Sequence, residues 1–403
     1  MPLRPLAVLL VVIFTAILTT MFTRLLPTPE RSFLLVGPRG TGKTTWLRQV
    51  LPRAEWFDLL RMKTVLELTR EPGLFRARVE ALPQGSWVVV DEIPKLPALL
   101  DEVQSLISAH GQGYRFALCG SSARKLRRME TNLLAGRVFV RQFFPLTGAE
   151  LAGTASLDDL LRFGTLPAVR SDAGHAVDIL EAYVATYLRE EIQQEALTKD
   201  FGAFSRFLEV AALSNGQVVN VAGTARDAGV SRMTVARYYQ VLVDTLIGFW
   251  LPAWRSKARI KEVRHPKFYL FDPGVARALL GRTRDPLEAA ERGPLLETLV
   301  LHELRAAMTG RNAGGELSYW RTPAGAEVDF IWRRGRRAVG VEVKASSRWR
   351  REDSATLHQL IDEKTLSAGY LIYGGTDVLR DRGVTILPMA EFSRRVAGGE
   401  LFE

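Results

Sequence analysis

A glycine-rich stretch with one lysine and several threonines, residues 37 to 45, is the part of the chain best suited to chemistry. It reads GPRGTGKTT and matches the pattern G-x-x-x-x-G-K-[S/T]. Glycines let a loop curl so that its backbone N–H groups converge on phosphate oxygens, and a following helix adds partial positive charge. Lys43 would bridge phosphate oxygens, and Thr44 would hold Mg²⁺ through its hydroxyl. The motif predicts a nucleoside triphosphate site formed by Gly37, Pro38, Arg39, Gly40, Thr41, Gly42, Lys43, Thr44 and Thr45.

Two acids that follow an apolar run have the composition of a hydrolytic site. Asp91 and Glu92 come directly after the run from Trp87 to Val90. Such a run is typical of a buried strand in a parallel sheet, and the carboxyl end of that strand reaches the ligand. We expect Asp91 to join Thr44 in holding Mg²⁺, from its second coordination shell, and Glu92 to polarise the attacking water. The alternative is a solvated acid pair at a strand end.

A third run, from Tyr114 to Cys119, ends in small polar residues. Ser121 or Ser122 is the candidate for a sensor hydroxyl that contacts the terminal phosphate or orients the attacking water, and a plain Gly-Ser turn is the competing interpretation. Downstream arginines are candidates for transition-state charge in the same subunit or a neighbouring one, and the sequence does not choose among Arg124, Arg137 and Arg141.

These residues need a strand, a loop and a helix to position them. The apolar run from Phe33 to Val36 precedes the glycine-rich loop, and a helix-forming stretch from Trp46 to Leu51 follows it. With the two further buried strands, this order predicts an α/β fold around a parallel sheet.

Length and composition indicate a folded protein of about three domains. The chain has 403 residues, of which 47% are hydrophobic and 24% charged. Its single cysteine, Cys119, excludes an internal disulfide and suits a reducing compartment. The net charge of +10 suggests a polyanionic partner such as nucleic acid, although an arginine-rich composition alone gives the same balance.

An uncharged stretch near the N-terminus leaves two interpretations open. Residues 6 to 23 lie between Arg4 and Arg24 and are near the lower length limit for a transmembrane helix. The stretch is either an anchor to the inner membrane or a buried helix or over-extended start. In either case we expect the nucleotide site to face the cytoplasm.

The motifs together resemble a family of prokaryotic AAA-superfamily ATPases with a C-terminal domain of unknown function. The resemblance is carried by GPRGTGKTT, VVVDEIPKLPALLDEV, FALCGSSARKL, LLAGR, FFPLTGAEL and FGTLPAV, and it extends from about residue 30 to residue 400. It implies ATP as the nucleotide and a cytoplasmic setting, and it supplies no physiological substrate.

The middle of the chain predicts helices followed by a winged helix. Residues 175 to 215 have apolar side chains at helical spacing. A short helix from Asn220 closes at Gly229, and Ser231 can cap a second helix that runs to Val243, which is the order of a helix-turn-helix. On the second helix we place Arg232, Thr234, Arg237 and Tyr238 on the polar, DNA-facing side and Val235, Tyr239 and Leu242 towards the core.

Apolar strands from Ile247 to Trp254 and from Phe268 to Phe271 bracket a basic loop. Residues 255 to 267 contain six cations and one acid, Glu262. This loop is suited to phosphate contact, so Arg232, Arg237 and the loop predict a DNA partner. The alternative is a winged helix that serves as a lid or a protein-docking module.

Three chemically active residues lie in a β-hairpin near the C-terminus. The first strand, 326–332, carries Asp329. The second strand, 338–345, carries Glu342 and Lys344 on one of its faces. Two carboxylates and a lysine that converge suit Mg²⁺ and phosphodiester chemistry, and Glu297 on the preceding helix is a further acid. The alternative is an exposed Glu–Lys pair of little energetic value.

This αβββαβ order with Asp329 and Glu342-Val-Lys344 resembles the restriction-endonuclease-like superfamily and its D…(D/E)-x-K signature. The resemblance implies metal-dependent cleavage by these three residues, or a degenerate fold that only grips DNA.

The predicted domains are an apolar segment at 1–28, a P-loop ATPase domain at 29–170, a helical and winged-helix domain at 171–275, and a restriction-endonuclease-like domain at 276–403. The leading interpretation is a Mg²⁺-dependent ATPase that acts on nucleic acid. The sequence leaves open whether the protein forms a homo-oligomer. The rival is a nucleotide-dependent protein-docking switch, anchored by residues 6 to 23.

Overall fold

The N-terminal region is built on a five-stranded parallel sheet. The computed structural model describes residues 22–121, 138–188, 200–254, 265–310 and 313–402. The sheet order is β2-β3-β4-β1-β5, and every neighbouring pair is parallel. Its strands are β1 (Phe33–Val36), β2 (Glu55–Asp58), β3 (Ser86–Asp91), β4 (Tyr114–Gly120) and β5 (Phe139–Gln142). The predicted α/β class with a parallel sheet is confirmed.

Both faces of the sheet are buried at its central strands β1, β3 and β4, as their continuous apolar runs require. Phe33 and Leu35 of β1 pack with Val89 on one face, and Leu34 and Val36 pack into the core on the other. The covering helices are α1 (Lys43–Val50), α2 (Met62–Arg70), α3 (Gly73–Glu80) and α4 (Leu99–His110).

The middle region is helical and contains a small antiparallel sheet. The strands β6 (Gln217–Val218), β7 (Gly248–Leu251) and β8 (Lys267–Leu270) are ordered β6-β8-β7. The helices are α5 (Gly148–Leu151), α6 (Leu157–Phe163), α7 (Pro167–Ser171), α8 (Ala176–Ala182), α9 (Phe201–Leu213), α10 (Val221–Ala228), α11 (Arg232–Asp244) and α12 (Pro273–Leu279), with a π-helical turn at Tyr183–Leu188. Their apolar faces form one cluster with the C-terminal helices.

The turn between α10 and α11 has the predicted local chemistry. Gly229 ends α10 with a φ of 67°, a left-handed conformation that glycine adopts without steric cost. The Ser231 side chain accepts a hydrogen bond from the Thr234 N–H and so caps α11.

The C-terminal region is a six-stranded mixed sheet flanked by helices. Its order is β13-β14-β12-β11-β10-β9, with β11, β12 and β14 parallel to one another. The strands are β9 (Glu316–Arg321), β10 (Glu327–Arg334), β11 (Arg337–Lys344), β12 (Ala368–Tyr373), β13 (Leu379–Asp381) and β14 (Val384–Pro388), and the helices are α13 (Ala289–Gly310), α14 (Ala355–Asp362) and α15 (Met389–Gly398). This strand-rich domain after a helical one follows the predicted order.

The middle and C-terminal sheets touch along β9. Ala253, just after β7, bridges to Tyr319, and the Trp254 N–H donates to the Tyr319 carbonyl at 2.6 Å. Within the described ranges, none of the helices has the length and apolar character needed to cross a membrane. Of the apolar stretch 6–23, residues 6 to 21 lie outside those ranges.

Candidate functional site

The glycine-rich loop connects β1 to α1 at the carboxyl edge of the parallel sheet. Gly37 packs against the backbone of Phe143, and a Cβ at this position would collide with the Phe143 carbonyl oxygen. Gly40 and Gly42 have φ values of 75° and 88°, which side chains disfavour. The loop therefore depends on its glycines, and it delivers the backbone N–H groups of the first turn of α1 to one point.

The side chains of the loop hold it in a closed turn. The Lys43 Nζ donates to the carbonyl oxygens of Gly37 and Pro38 at 2.8 and 2.9 Å. The Thr41 hydroxyl donates to the Pro38 carbonyl at 2.9 Å. The ammonium group thus lies across the mouth of the loop, where phosphate oxygens bind in such motifs.

A hydroxyl and a carboxylate meet beside the loop. The Thr44 Oγ1 donates to the Asp91 Oδ2 at 2.8 Å. Asp91 ends β3 and is only 3% exposed. Hard oxygen ligands of this kind are those Mg²⁺ prefers, so the donor set of Thr44 and Asp91 fits the metal.

Glu92 is held by its backbone conformation and by Ser121, the residue that follows β4. Its φ is 58°, a left-handed conformation that is strained for a side chain of this kind. The Ser121 Oγ donates to the Glu92 Oε1 at 3.1 Å. The Ser121 hydroxyl thus lies on the carboxylate that is predicted to polarise water, and its sensor role stays a prediction.

An arginine ahead of the sheet braces the loop, a feature that the sequence analysis missed. The Arg24 Nη1 donates to the Thr41 carbonyl at 2.8 Å, and its Nε donates to the Glu150 Oε1 at 3.0 Å. Burial lowers the pKa of Arg24, although Glu150 opposes that shift. Tyr183 adds a second brace because its hydroxyl donates to the Arg39 carbonyl at 3.2 Å. Arg24 and Glu150, and Tyr183 and Arg39, lie more than 100 residues apart in the sequence. Local sequence patterns therefore could not predict these contacts.

The candidate arginine fingers divide between described and undescribed residues. Arg141 lies on β5, donates to the Val140 carbonyl at 3.2 Å and lies over the ring of Phe139. Arg124 and Arg137 lie outside the described residues, as does Ser122.

The second helix of the helix-turn-helix exposes two of its predicted DNA-facing residues. Arg232 and Arg237 are exposed, and Thr234 is partly buried. The prediction for Tyr238 is wrong: this ring is 4% exposed and packs against Phe204 and Phe207 in the core. The helix α11 packs against both α9 and β7, so its buried face is wide enough to include Tyr238.

The basic loop is described only at its end, and that end corrects a prediction. Residues 255 to 264 lie outside the described ranges. Lys267, which we counted among the phosphate-contacting cations, is instead the first residue of β8 and is 4% exposed. Its ammonium group faces acids of the C-terminal region, so it is not available to phosphate.

Asp329, Glu342 and Lys344 lie together at one edge of the C-terminal sheet. The Val343 N–H donates to the Asp329 Oδ2 at 2.9 Å, and the Lys344 Nζ donates to the Glu342 Oε1 at 2.6 Å. The second oxygen of Glu342 is buried and has no hydrogen-bond partner among the described residues. Burial raises the pKa values of Asp329 and Glu342, and in Glu342 the neighbouring Asp329 adds to the effect.

Lys267 forms the centre of a second acidic group, which we call the Lys267 cluster. Its Nζ lies 2.5 Å from the Glu327 Oε1, 3.6 Å from the Asp329 Oδ1 and 3.7 Å from the Glu297 Oε2. Burial by itself would lower the pKa of Lys267, but the three carboxylates raise it overall. Burial raises the pKa of Glu297 to about 7, and the Tyr269 hydroxyl donates to this carboxylate at 2.7 Å.

The restriction-endonuclease-like resemblance implies a metal site of two carboxylates, and Asp329 and Glu342 lie at the same sheet edge. Across the described ranges, no group of three or more His, Cys, Asp or Glu side chains is placed to hold a metal ion. A cavity of about 700 Å³ borders Asp329, Glu342 and Lys344, and the Lys267 ammonium supplies positive charge at its wall.

Comparisons with known proteins agree with the N-terminal geometry. Residues 29–152 match a family model described as an AAA domain. Residues 154–285 and 292–392 match two domains of unknown function, DUF8612 and DUF4143. AAA domains are ATPase-type nucleotide-binding domains, which is the class of site that β1, α1 and β3 form here.

Two curated relatives and one solved structure extend over most of the chain. Uncharacterized protein Rv2008c of Mycobacterium tuberculosis and uncharacterized protein Mb2031c of Mycobacterium bovis are each 30% identical over 325 residues, which is 78% of this chain and 70% of theirs. Protein VC1899 from Vibrio cholerae aligns at 10% identity over 92% of this chain and 97% of its own chain. The TM-score of 0.22 is too low to establish a shared fold.

Proposed function

Because the chain belongs to the family of AAA-domain proteins that includes Rv2008c and Mb2031c, we propose that it is a Mg²⁺-dependent ATPase that acts on nucleic acid. The observation that carries the ATPase proposal is the group formed by Lys43, Thr44, Asp91 and Glu92 at one sheet edge. Both relatives are uncharacterized proteins, so the nucleic-acid part rests on this chain's own residues.

Each residue of the nucleotide site has a distinct proposed role. Lys43 binds phosphate oxygens, and the loop N–H groups orient the phosphate chain. Thr44 and Asp91 hold Mg²⁺, which when bound neutralises phosphate charge. Glu92 accepts a hydrogen bond from water and orients it for attack, and Ser121 holds Glu92 in position.

Two substitutions separate binding from turnover. Lys43→Ala removes the cation that meets the phosphates, so we expect nucleotide binding to be lost. Glu92→Gln keeps the size and the hydrogen bond from Ser121 but not the charge, so we expect binding to persist and turnover to be lost. Fluorescent-nucleotide binding and phosphate release measure the two steps, and normal turnover by Glu92→Gln would remove the role given to Glu92.

We propose nucleic-acid contact through the exposed face of α11 and a restriction-endonuclease-like fold for the C-terminal domain. Arg232 and Arg237 support the first, because both are exposed on α11, a helix that Ser231 caps. The element order α13, β9, β10, β11, α14, β12 supports the second. On this proposal the domain boundaries remain 29–170, 171–275 and 276–403.

We propose that the C-terminal domain grips nucleic acid rather than cutting it. The supporting observation is Lys267, whose ammonium group pairs with Asp329 and its two acidic neighbours. Incubation of the protein with DNA and Mg²⁺ tests this. Cutting that disappears in Asp329→Ala would instead assign Asp329, Glu342 and Lys344 as catalytic residues.

The rival proposal is a docking switch with residues 6 to 23 as an anchor, and DNA binding at different salt concentrations separates it from the ATPase that acts on nucleic acid. Phosphate contact causes affinity to fall steeply with salt concentration. Absence of DNA binding at low salt favours the docking switch.

A further inference from the structure

A wide cavity opens where the three regions of the chain meet. Its volume is about 1130 Å³, and its walls come from the end of β5, the segment after β7, and α13 with the adjacent sheet edge. Phe144 lies in the first wall, Phe249 and Trp254 lie in the second, and Arg305 lies in the third. No role assigned above uses this space.

Arg305 faces this cavity as a cation without an anionic partner. It is partly buried, and its guanidinium carbon lies 4.1 Å from the centre of the Phe249 ring and 5.3 Å from that of Phe144. Among the described residues it has no hydrogen bond and no ion pair. Burial lowers its pKa to about 10, so it is still positively charged at neutral pH. A desolvated cation of this kind is stabilised by an anionic ligand.

The rim of the cavity is also basic. Arg336 and Lys364 are exposed there, and neither has an ion pair within the described part of the chain. Arg333 is paired with Glu316 at 2.5 Å, and Glu316 is the acid among the lining residues. The cavity wall thus carries four cations against one anion, which is the electrostatic pattern that attracts a polyanion.

Flat aromatic surfaces accompany these charges. The side chains of Phe249 and Trp254 are partly exposed at the wall. Bases of a single strand stack on such rings irrespective of their identity, whereas bases inside a duplex are already stacked. The combination of cations and aromatic rings favours a single strand over a duplex.

The cavity is adjacent to the glycine-rich loop, because Phe144 lines the cavity and its neighbour Phe143 contacts the loop. The Phe143 N–H donates to the Val36 carbonyl at 2.7 Å, and the Phe143 carbonyl packs on Gly37. The next residue, Phe144, contributes its ring to the cavity and its carbonyl to Arg24, which also holds Thr41 of the loop. The segment 143–144 therefore contacts both the glycine-rich loop and the cavity.

We propose that this cavity binds single-stranded nucleic acid, with Arg305, Arg336 and Lys364 contacting phosphates and the rings of Phe249 and Trp254 stacking on bases. The proposal deepens the nucleic-acid part of the function proposed above and rests on it.

Fluorescence anisotropy of the full chain with a labelled oligothymidylate tests the proposal over a series of NaCl concentrations. Arg305→Gln removes a charge-assisted contact, so we expect affinity to fall by about tenfold or more. Arg336→Gln and Lys364→Gln replace exposed side chains, so both should fold. Each should reduce the slope of log K against log salt by about 0.7, the value for one phosphate contact on a single strand.

Arg334→Gln is the matched control. This arginine is also exposed on the C-terminal sheet and lies over an aromatic ring, that of Phe402 at 4.9 Å, but it does not line the cavity. We expect its affinity and salt slope to equal those of the wild type.

The outcomes separate this proposal from the one it rests on. Wild-type binding that is unchanged by the rim substitutions overturns the cavity as the site and leaves nucleic-acid function standing. Preference for a duplex oligonucleotide over the single strand also overturns it. If the wild type turns over ATP but binds neither oligonucleotide, the nucleic-acid function fails and this proposal fails with it.

Discussion

Replacing Lys267 with methionine should destabilise the C-terminal domain in a manner that depends on pH. Methionine keeps an unbranched apolar side chain but leaves Glu297, Glu327 and Asp329 without their shared cation. The Lys267 side chain is 5% exposed, so water cannot replace the lost charge freely.

The magnitude follows from the three distances. At an effective dielectric constant of about 20, charges separated by 2.5 to 3.7 Å attract by roughly 4 to 7 kcal/mol per pair. Desolvation of the buried ammonium offsets most of this sum, and loss of one partner of a buried pair typically costs about 3–5 kcal/mol. We expect a loss in that range at pH 8.

The loss should shrink as the pH falls. Lys267 lowers the pKa values of Glu297 and Asp329, so its removal raises them further above their unfolded values. A carboxyl group whose folded pKa is raised contributes stability at low pH and loses that contribution as pH rises through the folded pKa. Since the pKa of Glu297 is already about 7, protonation near pH 5 should restore much of the stability.

Urea unfolding followed by tryptophan fluorescence, at pH 5 and pH 8, measures the effect. Trp320 and Trp332 are buried in the C-terminal domain and report on its transition. Lys63→Met is the control, because the Lys63 side chain is 87% exposed and its pair with Glu67 is worth little. A second variant, Lys267→Met with Glu327→Gln, should recover part of the loss. A cost that is equal at both pH values, or no larger than that of Lys63→Met, would refute the description of the cluster.

Two further predictions concern a positioning residue and a buried acid. Ser121→Ala should lower the turnover of ATP by about 10- to 100-fold while nucleotide affinity is retained, because Glu92 loses the hydroxyl that orients it; equal loss of affinity in the same titration would contradict a positioning role. Glu303 accepts a hydrogen bond from the Gly148 N–H at 2.6 Å, and burial raises its pKa to about 8. The unfolding free energy that this proton contributes is complete at low pH and is lost as pH rises to about 8, at up to about 1.4 kcal/mol per pH unit. Glu303→Gln should remove that slope in unfolding measurements from pH 5 to pH 9, and an unchanged slope would assign it to another group.

Local patterns predicted those parts of the molecule whose chemistry is local. The glycine-rich loop, the strand before it and the helix after it are contiguous, so their geometry follows from the conformations that glycine and apolar runs adopt. The cap at Ser231 and the end of α10 at Gly229 were predictable for the same reason. Asp91 and Thr44 were assigned to one site because parallel strands end at one edge.

Contacts between distant segments were not predictable in this way. Lys267 read as the last cation of a basic loop, yet β8 is buried on both faces and its first residue faces the C-terminal acids. Arg24 meets Glu150 across 126 positions, and Arg305 stacks on a ring from the middle region. Their roles depend on how three domains pack, which is decided by apolar faces that no single motif contains.

The segments that flank β7 and β8 connect the cavity that contains Arg305 with the Lys267 cluster. Trp254, after β7, lines the cavity that contains Arg305, whereas Lys267, at the start of β8, enters the acidic cluster. The two segments are hydrogen-bonded to each other through Leu251 and Lys267, and Trp254 is bonded to β9 at Tyr319. The contacts of Lys267 and the cavity wall formed by Trp254 therefore depend on the same pair of strands. Because the cavity also shares Phe144 with the segment that packs on Gly37, the phosphate loop is linked to the cavity by hydrogen bonding and packing through residues 143 and 144.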